Sequence, residues 1–216
     1  MQLSTVDAFV QAAIAVLVIA NPVDPVKILI FNTVITERGL GRRGAAAKTA
    51  LVVFVILAVT ALIGREILQL IGINLGAFGV IGGLVVAGMG FEMLAGGGSS
   101  RVQGTRDQGA RAGPAAAEQS DGLVMPLATP LMAGPGTITT VITVSSLRTG
   151  GVGVIAALVA VAIVAVLVFV SFAYLGAAFD KLKPSAAAML ARVGGLLLAT
   201  IGAQLVLGGI RAFYGF

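Results

Sequence analysis

The sequence contains no cysteine, no histidine and no tryptophan among its 216 residues. Without cysteine the chain cannot form disulfides, thiolate metal sites or a cysteine nucleophile. Without histidine it cannot build a Ser-His pair, which leaves Ser145 and Ser146 without that partner, or a histidine-ligated metal site. Any proton transfer would have to use Asp, Glu, Lys or Tyr. The sequence therefore predicts no enzyme, no cofactor and no bound metal.

Charged residues are scarce as well. They make up 11% of the chain, whereas a soluble domain has roughly 25%, and 58% of the residues are apolar. This small amount of polar surface cannot cover a water-soluble globule. Membrane lipid must therefore contact much of the protein. The net charge of +5 falls mainly in short segments between apolar runs, a pattern typical of membrane topology signals and not of nucleic-acid binding.

Six charge-poor runs approach the roughly 20 residues that a membrane-spanning helix needs. They are Phe9–Thr36, Thr49–Gly64, Leu75–Leu94, Leu123–Leu147, Val152–Phe179 and Ala186–Tyr214. Residues 95–121 are rich in Gly, Ala, Ser and Gln, which predicts a flexible linker. The sequence thus predicts an all-α membrane protein with six transmembrane helices, three in residues 1–94 and three in residues 122–216.

The two halves resemble each other. Ile81–Leu84 matches Val193–Leu196, and Asn21-Pro22 aligns with Gly134-Pro135 at nearly the same offset. Because each half holds three spans, the second half begins on the opposite side of the membrane. The sequence therefore predicts two inverted three-helix repeats, which is a common transporter architecture.

Basic residues predict the orientation of the chain. The connections after spans one, three and five carry Arg38, Arg42, Arg43, Lys48, Arg101, Arg106, Arg111, Lys181 and Lys183, with Arg192 just inside the next span. The opposite side has Arg65, Arg148 and Arg211 near its ends. By the positive-inside rule the richer side is cytoplasmic, so the linker lies inside and both termini face outward.

Spans one and four are interrupted at corresponding positions. Span one holds residues 21–25, Asn-Pro-Val-Asp-Pro, and span four holds Pro126, Pro130 and then Gly134-Pro135-Gly136. A proline inside a helix removes one hydrogen bond and displaces the carbonyl four residues earlier. The carbonyls predicted to be freed are those of Val18, Asn21, Pro126 and Leu131. Paired breaks predict a solute site at the membrane midplane, whereas a lone proline marks only a kink.

The half-helix after each break presents free N–H groups that suit a carboxylate, and the half-helix before it presents carbonyls that suit an ammonium or a cation. Two facing breaks can therefore clamp a zwitterion. The predicted substrate-binding residues are Asn21, Pro22, Asp24, Gly134, Pro135, Gly136, Thr137 and Thr140. Thr139 offers a further hydroxyl, although Thr139 and Thr140 have the alternative of bonding back to their own helix.

Two carboxylates are candidates for coupling solute movement to a proton. Asp24 is an intramembrane carboxylate, a type of group that is costly and usually functional. Asp24-Pro25 is equally a well-formed helix start, with Asp as the N-cap and Pro at the first position, and Lys27 can neutralise the charge. Glu92 lies near the cytoplasmic end of span three, where the alternative is a carboxylate that simply reaches water.

The interrupted runs also resemble a known family. Leu17–Pro25, Pro126–Ile138 and Gly195–Ile210 are similar to the MarC family of bacterial and archaeal integral membrane proteins, and the resemblance spans nearly the whole chain. It implies six helices in two inverted repeats in the inner membrane, a relation to the lysine-exporter superfamily, and transport of small neutral amino acids. The functional positions it implies are Asn21, Pro22, Gly134, Pro135 and Gly136.

The chain departs from the family pattern after the first break. The family commonly reads Asn-Pro-x-Gly-Asn-x-Pro, whereas here Asp24 replaces the glycine, Pro25 the asparagine and Lys27 the later proline. Two charges therefore enter where the family is neutral.

Together these features predict a secondary transporter of small amino acids or similar zwitterions. The alternative is a channel or passive exporter for a cation or small solute. The sequence leaves open the solute, the direction, and coupling to a proton or to sodium. The glycines of spans three and six predict close helix packing, either within the chain or between copies in a homo-oligomer.

Overall fold

The computed structural model describes residues 5–96, 132–146, 152–176 and 184–215, which form helices joined by turns, with no strand among them. The helices are α1 (Thr5–Ala20), α2 (Pro25–Glu37), α3 (Arg42–Ile71), α4 (Leu75–Leu94), α5 (Pro135–Ser146), α6 (Val152–Val170, continued by a π-helical turn over Ser171–Leu175) and α7 (Pro184–Tyr214). The prediction of an all-α protein is confirmed for this part of the chain.

Four helical segments are long and apolar enough to cross a membrane, and a fifth apolar segment is shorter. The four are Arg42–Ile71, Leu75–Leu94, Val152–Leu175 and Ala188–Tyr214, and the shorter one is Lys27–Thr36. The four correspond to predicted spans two, three, five and six. The predicted linker from residue 97 onward, and the part of the fourth predicted span up to residue 131, lie outside the described residues.

A tight turn joins α3 to α4. Gly72 ends α3 with φ of 78°, a left-handed conformation that glycine adopts without steric cost. The Asn74 side chain then accepts hydrogen bonds from the N–H groups of Gly76, at 2.7 Å, and Ala77, at 3.3 Å. This N-cap satisfies two of the free donors at the start of α4, so only three residues separate the end of α3 from the new helix.

Helices α4 and α7 pack against each other through glycines spaced seven residues apart. The facing pairs are Gly76 with Gly209, Gly83 with Gly202, and Gly90 with Gly195. A Cβ on Gly83 would lie 2.7 Å from the Gly202 carbonyl oxygen, so any larger residue would push the two backbones apart. The predicted glycine packing is therefore present, and it joins two helices of the same chain.

A second set of contacts joins α1, α2, α3, α5 and α6 around the main apolar core. Phe31 of α2 stacks on Phe172 of the π-helical turn, with ring centroids 4.4 Å apart. Close by, the Asn32 side chain donates to the Gly176 carbonyl at 3.2 Å and accepts from Arg42 at 2.9 Å. These contacts anchor the middle of α2, whereas its first residue, Pro25, follows the first helix break.

Candidate functional site

The first break separates α1 from α2 at residues 21–24. Asn21 has φ of 40°, a left-handed conformation that asparagine tolerates better than most residues. Its N–H still donates to the Leu17 carbonyl at 2.9 Å, and its own carbonyl accepts from the Asp24 N–H at 3.3 Å. The predicted free carbonyl of Asn21 is therefore occupied by a turn hydrogen bond. Pro22, which has no N–H to donate, is buried within this turn.

Asp24 and Lys27 flank the start of α2. The helix begins at Pro25, and the Asp24 carbonyl accepts from the Ile28 N–H at 3.1 Å, so Asp24 has the N-cap position that its sequence predicted. The Asp24 side chain is only 3% exposed and that of Lys27 is 7% exposed. The Lys27 ammonium donates to the carbonyl of Ala20, the last residue of α1, at 2.6 Å.

The second break precedes α5 and includes Met132, Ala133 and Gly134, all buried. The helix begins at Pro135, and the Gly134 carbonyl accepts from the Ile138 N–H at 3.0 Å. The Thr137 hydroxyl donates to the Met132 carbonyl at 3.0 Å. At each break, a side chain from the new helix thus binds a carbonyl of the segment before it.

The other threonines of α5 have different roles. The Thr140 hydroxyl donates back to the Gly136 carbonyl at 2.8 Å, which is the alternative expected for a threonine within a helix, and its oxygen can still accept. Thr139 contacts Gly82 so closely that its side chain occupies the space that a Cβ on Gly82 would need. Gly82 therefore lets α5 approach α4.

The two breaks lie next to each other. A Cβ on Gly136 would be 3.7 Å from Cγ2 of Ile19, which lies two residues before the first break, and 2.6 Å from Cγ2 of Val86 on α4. A Cβ on Gly194 of α7 would be 3.5 Å from Nδ2 of Asn21. Both breaks therefore rest on the α4–α7 pair. The eight predicted substrate-binding residues lie at these breaks or in the first two turns of α5.

Glu92, the second predicted coupling residue, is exposed on α4, while its neighbour Met93 is buried and approaches Gly194. The alternative that Glu92 reaches water at the cytoplasmic boundary stays a prediction. Of the two carboxylates, Asp24 is the one at a helix break.

Comparison with known proteins identifies the family of this chain. A family model described as "MarC family integral membrane protein" matches residues 6–214. The chain belongs to the MarC family. It is 30% identical to UPF0056 membrane protein YvbG of Bacillus subtilis over 95% of both chains, and 30% identical to a UPF0056 membrane protein of Pyrococcus abyssi over 99% of both chains. It is 27% identical to UPF0056 membrane protein YhcE of Escherichia coli over 93% of this chain and 91% of that one.

No solved structure matches the chain significantly. The relatives come from bacteria and archaea, which agrees with the predicted origin, and the family model together with the apolar helices makes the chain an integral membrane protein.

Sequence reasoning missed two features of this MarC family site. It considered Lys27 only as a counter-charge for Asp24, whereas the ammonium binds the carbonyl end of α1. It also did not connect Gly82 with Thr139, whose side chain occupies the space that a Cβ on Gly82 would need. One feature of the sequence does indicate a special role for Lys27. It lies in the first turn of α2, where a positive charge opposes the dipole of its own helix.

Proposed function

We propose that this protein is a secondary transporter that moves small amino acids or similar zwitterionic solutes across the inner membrane by alternating access. The observation that carries the proposal is the meeting of two broken helices at the α4–α7 pair. Broken helices that face each other offer backbone donors and acceptors inside a membrane, where water does not compete for them. A transport role rather than a catalytic one fits a chain without histidine or cysteine.

The pairing of helices supports an arrangement of six spans in two inverted repeats. The third and sixth predicted spans, α4 and α7, pack together, and so do the second and fifth, α3 and α6. The first predicted span, which holds α1 and α2, contacts the fourth, which includes α5, through α1. Each span thus contacts its counterpart in the other half, as expected when a two-fold axis in the membrane plane relates the repeats. Rocking of one repeat against the other would then alternate access to the site.

The groups around the breaks match the two poles of an amino acid. Helix α5 directs its N-terminal N–H groups and the positive end of its dipole toward the second break, which suits a carboxylate. The buried Asp24 carboxylate and the Asn21 amide lie at the first break, and both are groups that suit an ammonium. Small solutes are favoured because Val86, Ile19 and Met93 pack closely around the breaks.

The test is thermal unfolding of the detergent-purified protein with a panel of amino acids, with and without sodium and across pH. A ligand at about 100 times its dissociation constant stabilises the folded protein by about 2.7 kcal/mol. We expect a shift confined to a few small amino acids. We also expect uptake or counterflow of the same solutes in proteoliposomes.

The Asn21→Gly variant tests the site most sharply. Glycine adopts the positive φ of Asn21 without strain, so this variant removes the amide and keeps the backbone conformation, whereas Asn21→Ala also strains the turn. We expect Asn21→Gly and Pro135→Ala to insert normally and to lose most of the ligand-induced shift. Asn74→Ala is the matched control, because Asn74 caps α4 outside the breaks. Normal transport by both site variants would refute the assignment.

Counterflow separates the transporter from a channel or passive exporter. A transporter exchanges labelled solute for excess unlabelled solute across the membrane and responds to an imposed pH or salt gradient, whereas a channel does neither and only lets gradients decay. Binding of cations with no binding of any amino acid would favour the channel.

A further inference from the structure

The first break holds a buried positive charge whose partner belongs to the preceding helix. The Lys27 ammonium donates at 2.6 Å to the carbonyl of Ala20, the last residue of α1, and its side chain is only 7% exposed. The last carbonyls of a helix have no partner within the helix and carry the negative end of its dipole. The ammonium therefore occupies a position that is suited to a cation.

The position of Lys27 within α2 does not explain why a positively charged side chain is buried there. Lys27 is the third residue of α2, where a positive charge is unfavourable because the N-terminal end of the helix dipole is itself positive. Burial away from water adds a further cost for an ammonium. The hydrogen bond to the carbonyl end of α1 and the neighbouring buried carboxylate of Asp24 compensate these costs.

The second break shows that a carbonyl at a break needs only a hydrogen bond, and no charge. There the neutral hydroxyl of Thr137 donates to the Met132 carbonyl at 3.0 Å. If hydrogen bonding were the only requirement at the first break, a hydroxyl or an amide would serve. The first break thus differs from the second in holding a buried ammonium, that of Lys27, beside the buried carboxylate of Asp24. The ammonium lies at the carbonyl end of a helix that would otherwise attract a dissolved cation.

We propose that Lys27 is a tethered cation. Its ammonium fills, from within the chain, a site at the carbonyl end of α1 for a small monovalent cation such as sodium, potassium or a primary ammonium. The wild-type protein therefore requires no dissolved cation at this position, and removal of the Lys27 side chain opens the site to one. The inference rests on the proposed function only in that the same break would hold the solute.

The experiment is thermal unfolding of the detergent-purified protein in a choline chloride background, with choline replaced at constant ionic strength by methylammonium, ammonium, sodium or potassium. We expect Lys27→Ala to be stabilised saturably by at least one of these ions, with a rise in Tm of about 3 °C or more. We expect the wild type to show no saturable rise. The ion that acts at the lowest concentration identifies the chemistry of the site.

Three variants control the experiment. Lys27→Met fills the space of the aliphatic chain without a charge, so it should not respond to cations. Thr137→Val removes the neutral donor at the second break and should not gain a cation response. Lys48→Ala removes an exposed lysine of α3 and reports general effects of cations on a protein that has lost one positive charge.

A saturable response of the wild type to sodium, potassium or an ammonium ion that Asn21→Gly abolishes would overturn the proposal, because the first break would then bind a dissolved cation despite Lys27. Absence of any response in Lys27→Ala, or an equal response in Lys27→Met, would overturn it as well. A saturable response of the wild type at this break would overturn the proposal even if Lys27→Ala fails to fold. No arm contains an amino acid, so the result stands whether or not the protein transports one.

Discussion

Thr49 is a buried side chain of α3 that is only 1% exposed, and its hydroxyl is the one buried side-chain polar atom without a hydrogen-bond partner in the described part of the chain. A buried hydroxyl without a partner costs about 1–3 kcal/mol. We expect Thr49→Val, which keeps the shape and removes the hydroxyl, to raise the free energy of unfolding by about 1 kcal/mol or more. Thermal unfolding in detergent measures the change.

Thr60→Val is the matched control on the same helix. The Thr60 hydroxyl donates to the Ile56 carbonyl at 2.8 Å, so its removal should bring no gain. If Thr49→Val lowers the Tm instead, the Thr49 hydroxyl binds water or a solute in the folded protein, and it then belongs among the functional residues.

At the same scale, some site residues could be predicted from the sequence and others could not. The Asp24-Pro25 helix start was predictable because a capping side chain and a fixed φ act within two residues, and α2 does begin at Pro25. The bond from Lys27 to Ala20 was not predictable. It depends on how the chain turns between the two helices, and that turn depends on the left-handed φ of Asn21, which a sequence pattern does not specify.

The pairing of α4 with α7 is the feature of the helices that most limits their substitution. Gly83→Ala would place a methyl group 2.6 Å from the Val206 nitrogen and 2.7 Å from the Gly202 oxygen. Both contacts are backbone atoms that cannot rotate away. We expect a loss of about 1–3 kcal/mol or more, as for other overpacked sites, measured as a lower Tm or as a lower yield of monodisperse protein.

Gly88→Ala and Gly208→Ala are the matched controls on the same two helices. A Cβ at either position would meet nothing within 4 Å, so these variants should retain wild-type stability or gain slightly from better helix propensity. Equal loss in Gly83→Ala and Gly88→Ala would contradict the packing of α4 on α7 and would instead indicate a general intolerance of alanine in α4.

The glycine spacing also shows where prediction of the helices stops. The bounds of the helix Leu75–Leu94 could be predicted from its apolar run, because contact with lipid and the capping Asn74 both act locally on that segment. The seven-residue spacing that aligns Gly76, Gly83 and Gly90 with α7 could not be assigned to a partner, because packing glycines serve contacts within a chain and between chains equally. The break predicted at Gly134-Pro135-Gly136 depends on local residues again, and α5 begins within it, at Pro135.

The distribution of positive charge predicts the orientation of the whole molecule. Arg38, Arg42 and Arg43 lie near the turn between α2 and α3, whereas the turn between α3 and α4 has only Arg65 nearby. By the positive-inside rule we expect the first turn to be cytoplasmic and the second to face outward. The absence of cysteine makes this testable, because a single introduced thiol reports its own side of the membrane.

We expect Leu40→Cys, in the exposed turn after α2, to be protected from a membrane-impermeant maleimide in intact cells and labelled after permeabilisation. Ile73→Cys, in the exposed turn after α3, should be labelled in intact cells. Ser100→Cys, in the predicted cytoplasmic linker, should behave like Leu40→Cys, because one further span separates it from Ile73.

An inverted pattern at all three positions would reverse the orientation and leave the repeats intact. Labelling of Leu40→Cys and Ile73→Cys from one side would mean that α3 does not cross the membrane, and two inverted repeats of three spans could not then describe the chain.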